Sequence, residues 1–359
     1  MRGRYIINEN NAATVKNQTC KGEALDGILR HLLAEEKNPD GKKYDGFIVV
    51  DADNVLDANF VMEMNNALMS GRQIILGKRR VKNYLYSRRY RSWSVNCSAL
   101  TYTFLDKMGN AFRSSHGMSC TLCGTGIMVR HDVLEEMGGW PYRTMTEDLE
   151  LTINALLNEW TSFFYEYAVT YTEEGISHKS ANARRFRWVF GYAQISMKYR
   201  KMIADKFYSG LIKKNFSNEP EEVKKSVPAG NLWGCFDYLY AFFPLFIYFG
   251  VSVICAMIFI WSFIVHYCVN GYADYLCLKY AFAIIGIIYA VLVIYTGIGL
   301  YEDGESFTID LDEKIAMLFG NPFFVTEYAG FFVKSYILLI LGKSQNKNWV
   351  QVERMDLNK

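Results

Sequence analysis

Charge of one sign is what this chain lacks: 39 Lys and Arg against 37 Asp and Glu leave a net +2 over 359 residues. Bulk electrostatic attraction to nucleic acid is thereby excluded. Nothing at the start reads as a secretory signal, since Met1-Arg2-Gly3-Arg4 leads into a polar stretch. The expectation is a first domain that stays in the cytoplasm, where the eight scattered cysteines are reduced thiols. Cys120-x-x-Cys123 has zinc-like spacing, but without a second pair or paired histidines it does not make a zinc site. No internal repeat or low-complexity tract is present.

What is abundant is apolar, 51% of the chain with 16% aromatics, and it crowds into the C-terminal third. Phe242 to Val269 carries no acid or base except His266, enough to cross a bilayer that needs ~20 residues. Tyr280 to Tyr301 is equally clean, and the short link Asn270 to Lys279 makes the two a helical hairpin. Pro322 to Leu341 is apolar too, but Glu327 and Lys334 fall seven apart on one helical face, a costly pair to turn toward lipid. That segment is expected to be re-entrant or interfacial, or else a third span. Lys343, Lys347, Arg354 and Lys359 place the tail in the cytoplasm by the positive-inside tendency, which two full spans satisfy.

Before residue 230 the pattern is that of a soluble α/β domain. A strand at Tyr5 to Ile7, a helix from about Glu23 to Glu35, the strand Phe47 to Val50, a helix from Asn59 to Met69 and a strand near Gln73 to Leu76 alternate as in a mostly parallel sheet. Tyr84 to Phe112 reads as mainly helical, Cys123 to Val129 as a turn entering a strand, and His131 to Met137 as a short helix stopped by Gly138-Gly139. The apolar run Phe47 to Val50 ends on Asp51-Ala52-Asp53, where an open α/β sheet holds its ligands. Two hard oxygen donors there suit Mg²⁺ or Mn²⁺, which can hold the diphosphate of a nucleotide-sugar.

A second acidic group, Thr146-Glu147-Asp148, precedes the helical pattern from Leu149, with Thr146 expected as its N-cap. Basic clusters interleaved with aromatics occur at Lys78-Arg79-Arg80, at Arg88-Arg89 with Arg91, and at Arg184-Arg185 with Arg187. They suit anionic headgroups, phosphate ligands or simply a solvated face. The last cluster and Trp188 lie in an amphipathic stretch from about Ser177 to Ala204.

In this order, ahead of a membrane hairpin, DAD at 51 to 53, TED at 146 to 148 and RRFRW at 184 to 188 resemble the signature of the processive family 2 glycosyltransferases. These are the inverting synthases of the cellulose, chitin, hyaluronan and poly-N-acetylglucosamine type. Lys21-Gly22-Glu23-Ala24-Leu25-Asp26, CGTG at 123 to 126, Gly138-Gly139-Trp140 and the closing Trp349 to Arg354 add to the likeness. The resemblance implies a GT-A fold, an α/β Rossmann-like sheet followed by a C-terminal transmembrane region. It divides the chain into a cytoplasmic catalytic domain at 1–175, interfacial helices at 176–235, a membrane region at 236–342 and a tail at 343–359. It further implies that Asp51 and Asp53 coordinate Mg²⁺ or Mn²⁺ and that Asp148 is the general base. Lys21 and Arg187 join the donor site, and Trp188, Glu147, Gly124 and Thr125 the acceptor site. The implied partners are a nucleotide-sugar, expected to carry uridine, a saccharide acceptor and the bilayer of the plasma (inner) membrane, with no nucleic acid and any accessory membrane subunits unspecified.

Two departures accompany the likeness. Arg184 stands where the family has glutamine. The chain opens on what is a later strand in the family, so the sheet is expected to lack its first βα unit, as in an N-terminally truncated reading. Transfer of single sugars to a lipid or short acceptor, and a non-catalytic fragment or assembly partner, remain the alternative readings.

Overall fold

The structure, a computed structural model, describes residues 20–37, 43–85, 88–215, 229–241, 244–271, 275–304 and 309–343. The strand expected at Tyr5 to Ile7, Asp274 in the hairpin link, and Lys347, Arg354 and Lys359 of the tail lie outside them.

Five strands, β1 (Gly46–Val49), β2 (Val55–Leu56), β3 (Ile74–Val81), β4 (Ile127–Arg130) and β5 (Ser162–Thr172), form one sheet in the order β1-β4-β3-β5-β2. The expectation of a mostly parallel sheet is corrected. Only β3 and β5 pair parallel, whereas β4 runs antiparallel to both β1 and β3, and β2 antiparallel to β5. β1 and β3 do point the same way, but β4 is inserted between them. The order and direction of strands depend on crossovers that apolar alternation does not encode.

β3 and β4 open on unbroken apolar runs because both faces of the sheet are covered. Successive side chains alternate faces, so Ile74, Leu76, Ile127 and Val129 join one core with Leu29 of α1 (Lys21–Glu35), Val133 and Leu134 of α4 (His131–Met137) and Leu151 and Ala155 of α5 (Glu147–Asn158). Ile75 and Met128 take the other face and meet Phe60, Met64 and Leu68 of α2 (Phe60–Met69). Each buried side chain of this size contributes about 1.5–3 kcal/mol.

The segment Tyr84 to Phe112, expected to be mainly helical, is so, in several pieces. α3 (Trp93–Thr103) starts where Ser92 Oγ accepts the Val95 N–H at 3.2 Å, widens into a π-helical turn over Phe104–Asn110 and resumes at Ala111–Ser115. Two long helical segments follow the sheet, α6 (His178–Asn215) and α7 (Ala229–Ala241).

The apolar third forms α8 (Pro244–Asn270), α9 (Tyr275–Asp303) and α10 (Leu311–Ile340). Among the described residues, Leu278–Asp303 and Leu311–Ile340 are long and apolar enough to cross a membrane. Only 11% of the most apolar window of each long helix is buried, so neither is the core helix of a soluble domain. α10 is one continuous helix with Pro322 inside it. The charges that argued against a span have internal partners: Glu327 pairs with Arg185 and His178 of α6, and Lys334 Nζ lies 4.6 Å from the Phe186 ring centroid. The basic cluster at Arg88 to Arg91 likewise meets protein acids, Arg88 pairing with Asp310 and Asp312 and Arg91 with Glu313.

Candidate functional site

β1 ends at Val49 and the chain turns through Asp51-Ala52-Asp53 on the rim of the sheet. The Asn54 N–H donates to the Asp51 carbonyl at 3.0 Å. Thr125 Oγ1 accepts the Asp51 N–H at 3.1 Å and the Asn54 side-chain amide at 2.6 Å, tying the acidic turn to the loop that enters β4. Asp51 is half-buried and Asp53 exposed.

Lys21 comes to this rim from the first turn of α1. Its neighbour Gly22 lets the helix lie against the loop before α5, since a Cβ there would come within 2.8 Å of Tyr142 Cβ and 3.0 Å of Glu147 Cβ. Lys21 Nζ ion-pairs with Asp51, donates to the Gly124 carbonyl and lies 3.8 Å from Glu147 Oε1. Further along, the buried Asp26 carboxylate accepts the Trp140 N–H and Arg30 Nε, each at 2.8 Å, which fixes α1 to the Gly138-Gly139-Trp140 loop.

Glu147 and Asp148 open α5. Thr146 occupies the N-cap position, but its hydroxyl makes no capping bond, which corrects the expectation. The Thr146 side chain is instead pressed against Gly191 of α6, where a Cβ would stand 2.5 Å from Thr146 Cγ2. Asp148 accepts the Leu149 N–H at 2.8 Å. Burial, then the adjoining Asp148 carboxylate, pushes Glu147 up to about 7 while Lys21 opposes the rise, and burial raises Asp148 as well. Two adjoining, half-buried carboxylates with one ammonium nearby make a site that favours added positive charge or a proton.

The close approach at Gly191 also brings in α6. Burial holds the Arg187 guanidinium below its ordinary range, and the fields of Glu147, Asp148 and Asp51 work against that lowering, so Arg187 stands within electrostatic reach of the acidic rim. Trp188 does not lie free on a surface. It is half-buried and packs with Leu85, Phe104 and Leu300 against Val81, Tyr84, Val95 and Leu100.

Of the residues expected to form a site, Lys21, Asp51, Gly124, Thr125, Glu147, Asp148 and Arg187 are brought together. No group of three or more His, Cys, Asp or Glu side chains among the described residues is arranged to hold a metal ion unaided. The donor set nevertheless fits Mg²⁺ or Mn²⁺, because such ions are commonly held by one or two carboxylates with substrate phosphates completing the shell. Cys120 and Cys123 form no disulfide, and burial pushes their thiols up to about 11 and about 12.

Several buried charges near the site had no signature in the sequence reading. Arg79, expected in a cluster that meets anionic headgroups, phosphate ligands or solvent, is instead buried in β3 and grips Asp106 of the π-helical turn with Nη2 at 2.6 Å and Nε at 3.1 Å. Its place in a strand pattern, between Lys78 and Arg80, was the available clue. Glu150, one turn into α5, accepts from Lys198 at 2.7 Å, from Tyr199 and from Thr144, and so fastens α5 to α6.

The model of "Glycosyl transferase family group 2" matches residues 46–300. "Probable glycosyltransferase YdaM" of Bacillus subtilis (strain 168) is 26% identical over 175 residues, 46% of this chain and 40% of that protein. "Probable glucomannan 4-beta-mannosyltransferase 3" of Oryza sativa subsp. japonica is 29% identical over 157 residues, 42% of this chain and 25% of that protein. The chain thus spans well under two thirds of the length of these relatives. Among solved structures, a mannosyltransferase from Pyrobaculum calidifontis in complex with GDP-Man and Mn²⁺ aligns over 91% of this chain and 68% of its own, with 11% identity and a TM-score of 0.39.

Proposed function

The chain belongs to glycosyl transferase family group 2, and from that premise we propose an inverting glycosyltransferase of the GT-A class bound to a membrane. It moves a hexosyl group from a nucleotide-sugar to the end of a β-linked polysaccharide. The observation that carries this reading is the convergence of Lys21, Asp51, Glu147, Asp148 and Arg187 on one rim of the sheet. The relatives named for glucomannan mannosyl transfer support a β-linked hexose product.

Lys21 and Arg187 bind the diphosphate oxygens of the donor through charge-assisted hydrogen bonds. Asp51 and Asp53 would hold Mg²⁺ or Mn²⁺, which neutralises charge on the departing diphosphate. The acceptor hydroxyl oxygen attacks the anomeric carbon while the bond from that carbon to the diphosphate oxygen breaks. Asp148 takes the hydroxyl proton, and the electron pair of the broken bond leaves with the nucleoside diphosphate. One displacement of this kind inverts the anomeric centre. Glu147, Gly124 and Thr125 line the acceptor side, and Trp188 offers its ring to the acceptor sugar. α9 and α10 cross the plasma (inner) membrane, with the catalytic domain on the cytoplasmic side.

The test uses the full chain in lipid nanodiscs with Mn²⁺ and labelled UDP-glucose, UDP-N-acetylglucosamine or GDP-mannose. A ladder of products is expected with one of them; a lone product refutes polymer growth, and no product with any refutes transfer. Asp148→Asn should abolish transfer and spare binding of the nucleoside diphosphate in isothermal titration. Loss of both together would refute the role of base.

A further inference from the structure

Arg184 is half-buried one turn before Trp188 on α6, and its guanidinium carbon lies 5.0 Å from the centroid of the Trp188 ring. It ion-pairs with Glu174, and its Nη1 donates to the Glu173 carbonyl at 3.3 Å. Glu174 is only 2% exposed. Its carboxylate also accepts the Tyr102 hydroxyl at 2.9 Å. Its backbone is clamped by Asn83, which is fully buried: Asn83 Oδ1 accepts the Glu174 N–H at 3.1 Å, and Asn83 Nδ2 donates to the Glu174 carbonyl at 2.9 Å.

A buried carboxylate held this rigidly costs several kcal/mol unless a cation answers it. The cation here is the one that lies over the indole. Tyr102 is itself fixed, with the Arg79 guanidinium 4.6 Å from its ring centroid and Arg79 gripped by Asp106. An unbroken chain of contacts therefore runs from the sheet through Asn83 and Glu174 to Arg184 and ends on the Trp188 ring. A guanidinium stacked on an aromatic face resists tilting of the ring, because the attraction depends on the cation staying over the ring centre. Glutamine, the residue of the resembled family at this position, has neither the charge that Glu174 requires nor the cation that the indole face attracts.

We propose that Arg184, anchored by Glu174, is a positioning residue for the acceptor: it sets the plane of Trp188, on which the acceptor sugar stacks. The inference rests on the acceptor role given to Trp188 above. It predicts that the pair governs acceptor recognition and leaves donor recognition alone, although Arg184 stands within one helical turn of Arg187.

The experiment measures KM for cellotetraose and β-1,4-mannotetraose, each with its matching nucleotide-sugar, together with donor KM and melting temperature of the full chain in nanodiscs. Arg184→Gln and Glu174→Gln should each lower the melting temperature, because a buried charge is left unanswered, and raise acceptor KM roughly five- to tenfold with donor KM within about twofold. The double variant Arg184→Gln/Glu174→Gln removes both charges. It should regain the melting temperature yet keep the raised acceptor KM, since no cation lies over the ring. Arg184→Lys, which restores the charge without the flat stacking group, should fall between the two. A double variant with both properties of the parent chain would show a merely structural pair and overturn the inference. Trp188→Ala separates the two levels. If it leaves acceptor KM unchanged, or if neither tetrasaccharide is extended, the acceptor reading itself fails and the inference with it. If it raises KM while Arg184→Gln does not, only the inference fails.

Discussion

Glu147→Gln sets stability against activity at one residue. Glu147 and Asp148 adjoin at the start of α5, half-buried, with the Lys21 ammonium 3.8 Å from Glu147. Burial and the neighbouring carboxylate lift Glu147 from 4.5 to about 7. At about 1.4 kcal/mol per pH unit, ionising it in the folded chain costs on the order of 3 kcal/mol once the pH exceeds both values. The sign follows from the direction. A group whose folded value lies above its unfolded one favours the folded state below pH 4.5, and that benefit is lost as pH rises through about 7. Glutamine has nearly the same shape and no charge to lose, so the variant should match the parent chain near pH 4.5 and exceed it at pH 8. For a domain of this size the gain corresponds to roughly 6–12 °C in melting temperature. Thermal unfolding in nanodiscs, without nucleotide or divalent ion, at pH 5 and pH 8 measures it. Transfer at pH 8 should fall in the same protein, since a site built from crowded acids gives up stability for function. A variant no more stable than the parent at pH 8, or a gap that does not shrink toward acid, would refute the burial argument.

Asp53→Asn should lower turnover by roughly a hundredfold without changing the melting temperature, because the acid is exposed and its charge serves the departing diphosphate; full activity in excess chelator would contradict this. Asp106→Ala should strand the Arg79 guanidinium in the core and destabilise the chain by about 3–5 kcal/mol, read as a lowered melting temperature. An unchanged melting temperature would mean that water or a nearby group answers Arg79.

Periodicity located most of the elements that carry the site. The helix from Glu23, the strand ending at Val50 and the helix His131–Met137 stand where apolar spacing placed them, to within two residues at their ends. Those patterns record which side chains meet the core, and they are silent on which strand lies beside which. Hence Asp51-Ala52-Asp53 was legible as a strand-end pair, while the antiparallel β4 between β1 and β3 was not. The capping role given to Thr146 failed for a related reason: cap preference is a local tendency, and the contact with Gly191, 45 residues on, overrides it.

The three arginines of Arg184-Arg185-Phe186-Arg187 show where sequence reasoning stops. On the helix Arg184 and Arg187, three apart, share a face and Arg185 turns away from it, yet the sequence marks all three only as one basic cluster. Two are paired with acids from different parts of the chain, Arg184 with Glu174 after β5 and Arg185 with Glu327 in the apolar helix α10, while Arg187 feels the fields of Glu147, Asp148 and Asp51. One helix therefore ties the sheet, the apolar third and the acidic rim together. Glu327 looked like an obstacle to a membrane helix when α10 was read by itself, and it becomes intelligible once Arg185 is opposite it. The burial that draws these arginines toward acids also makes the position of α6 common to the acidic rim and the apolar helices. A displacement of α10 that breaks Arg185 from Glu327 must therefore disturb Arg187 and Trp188 within one turn of the same helix.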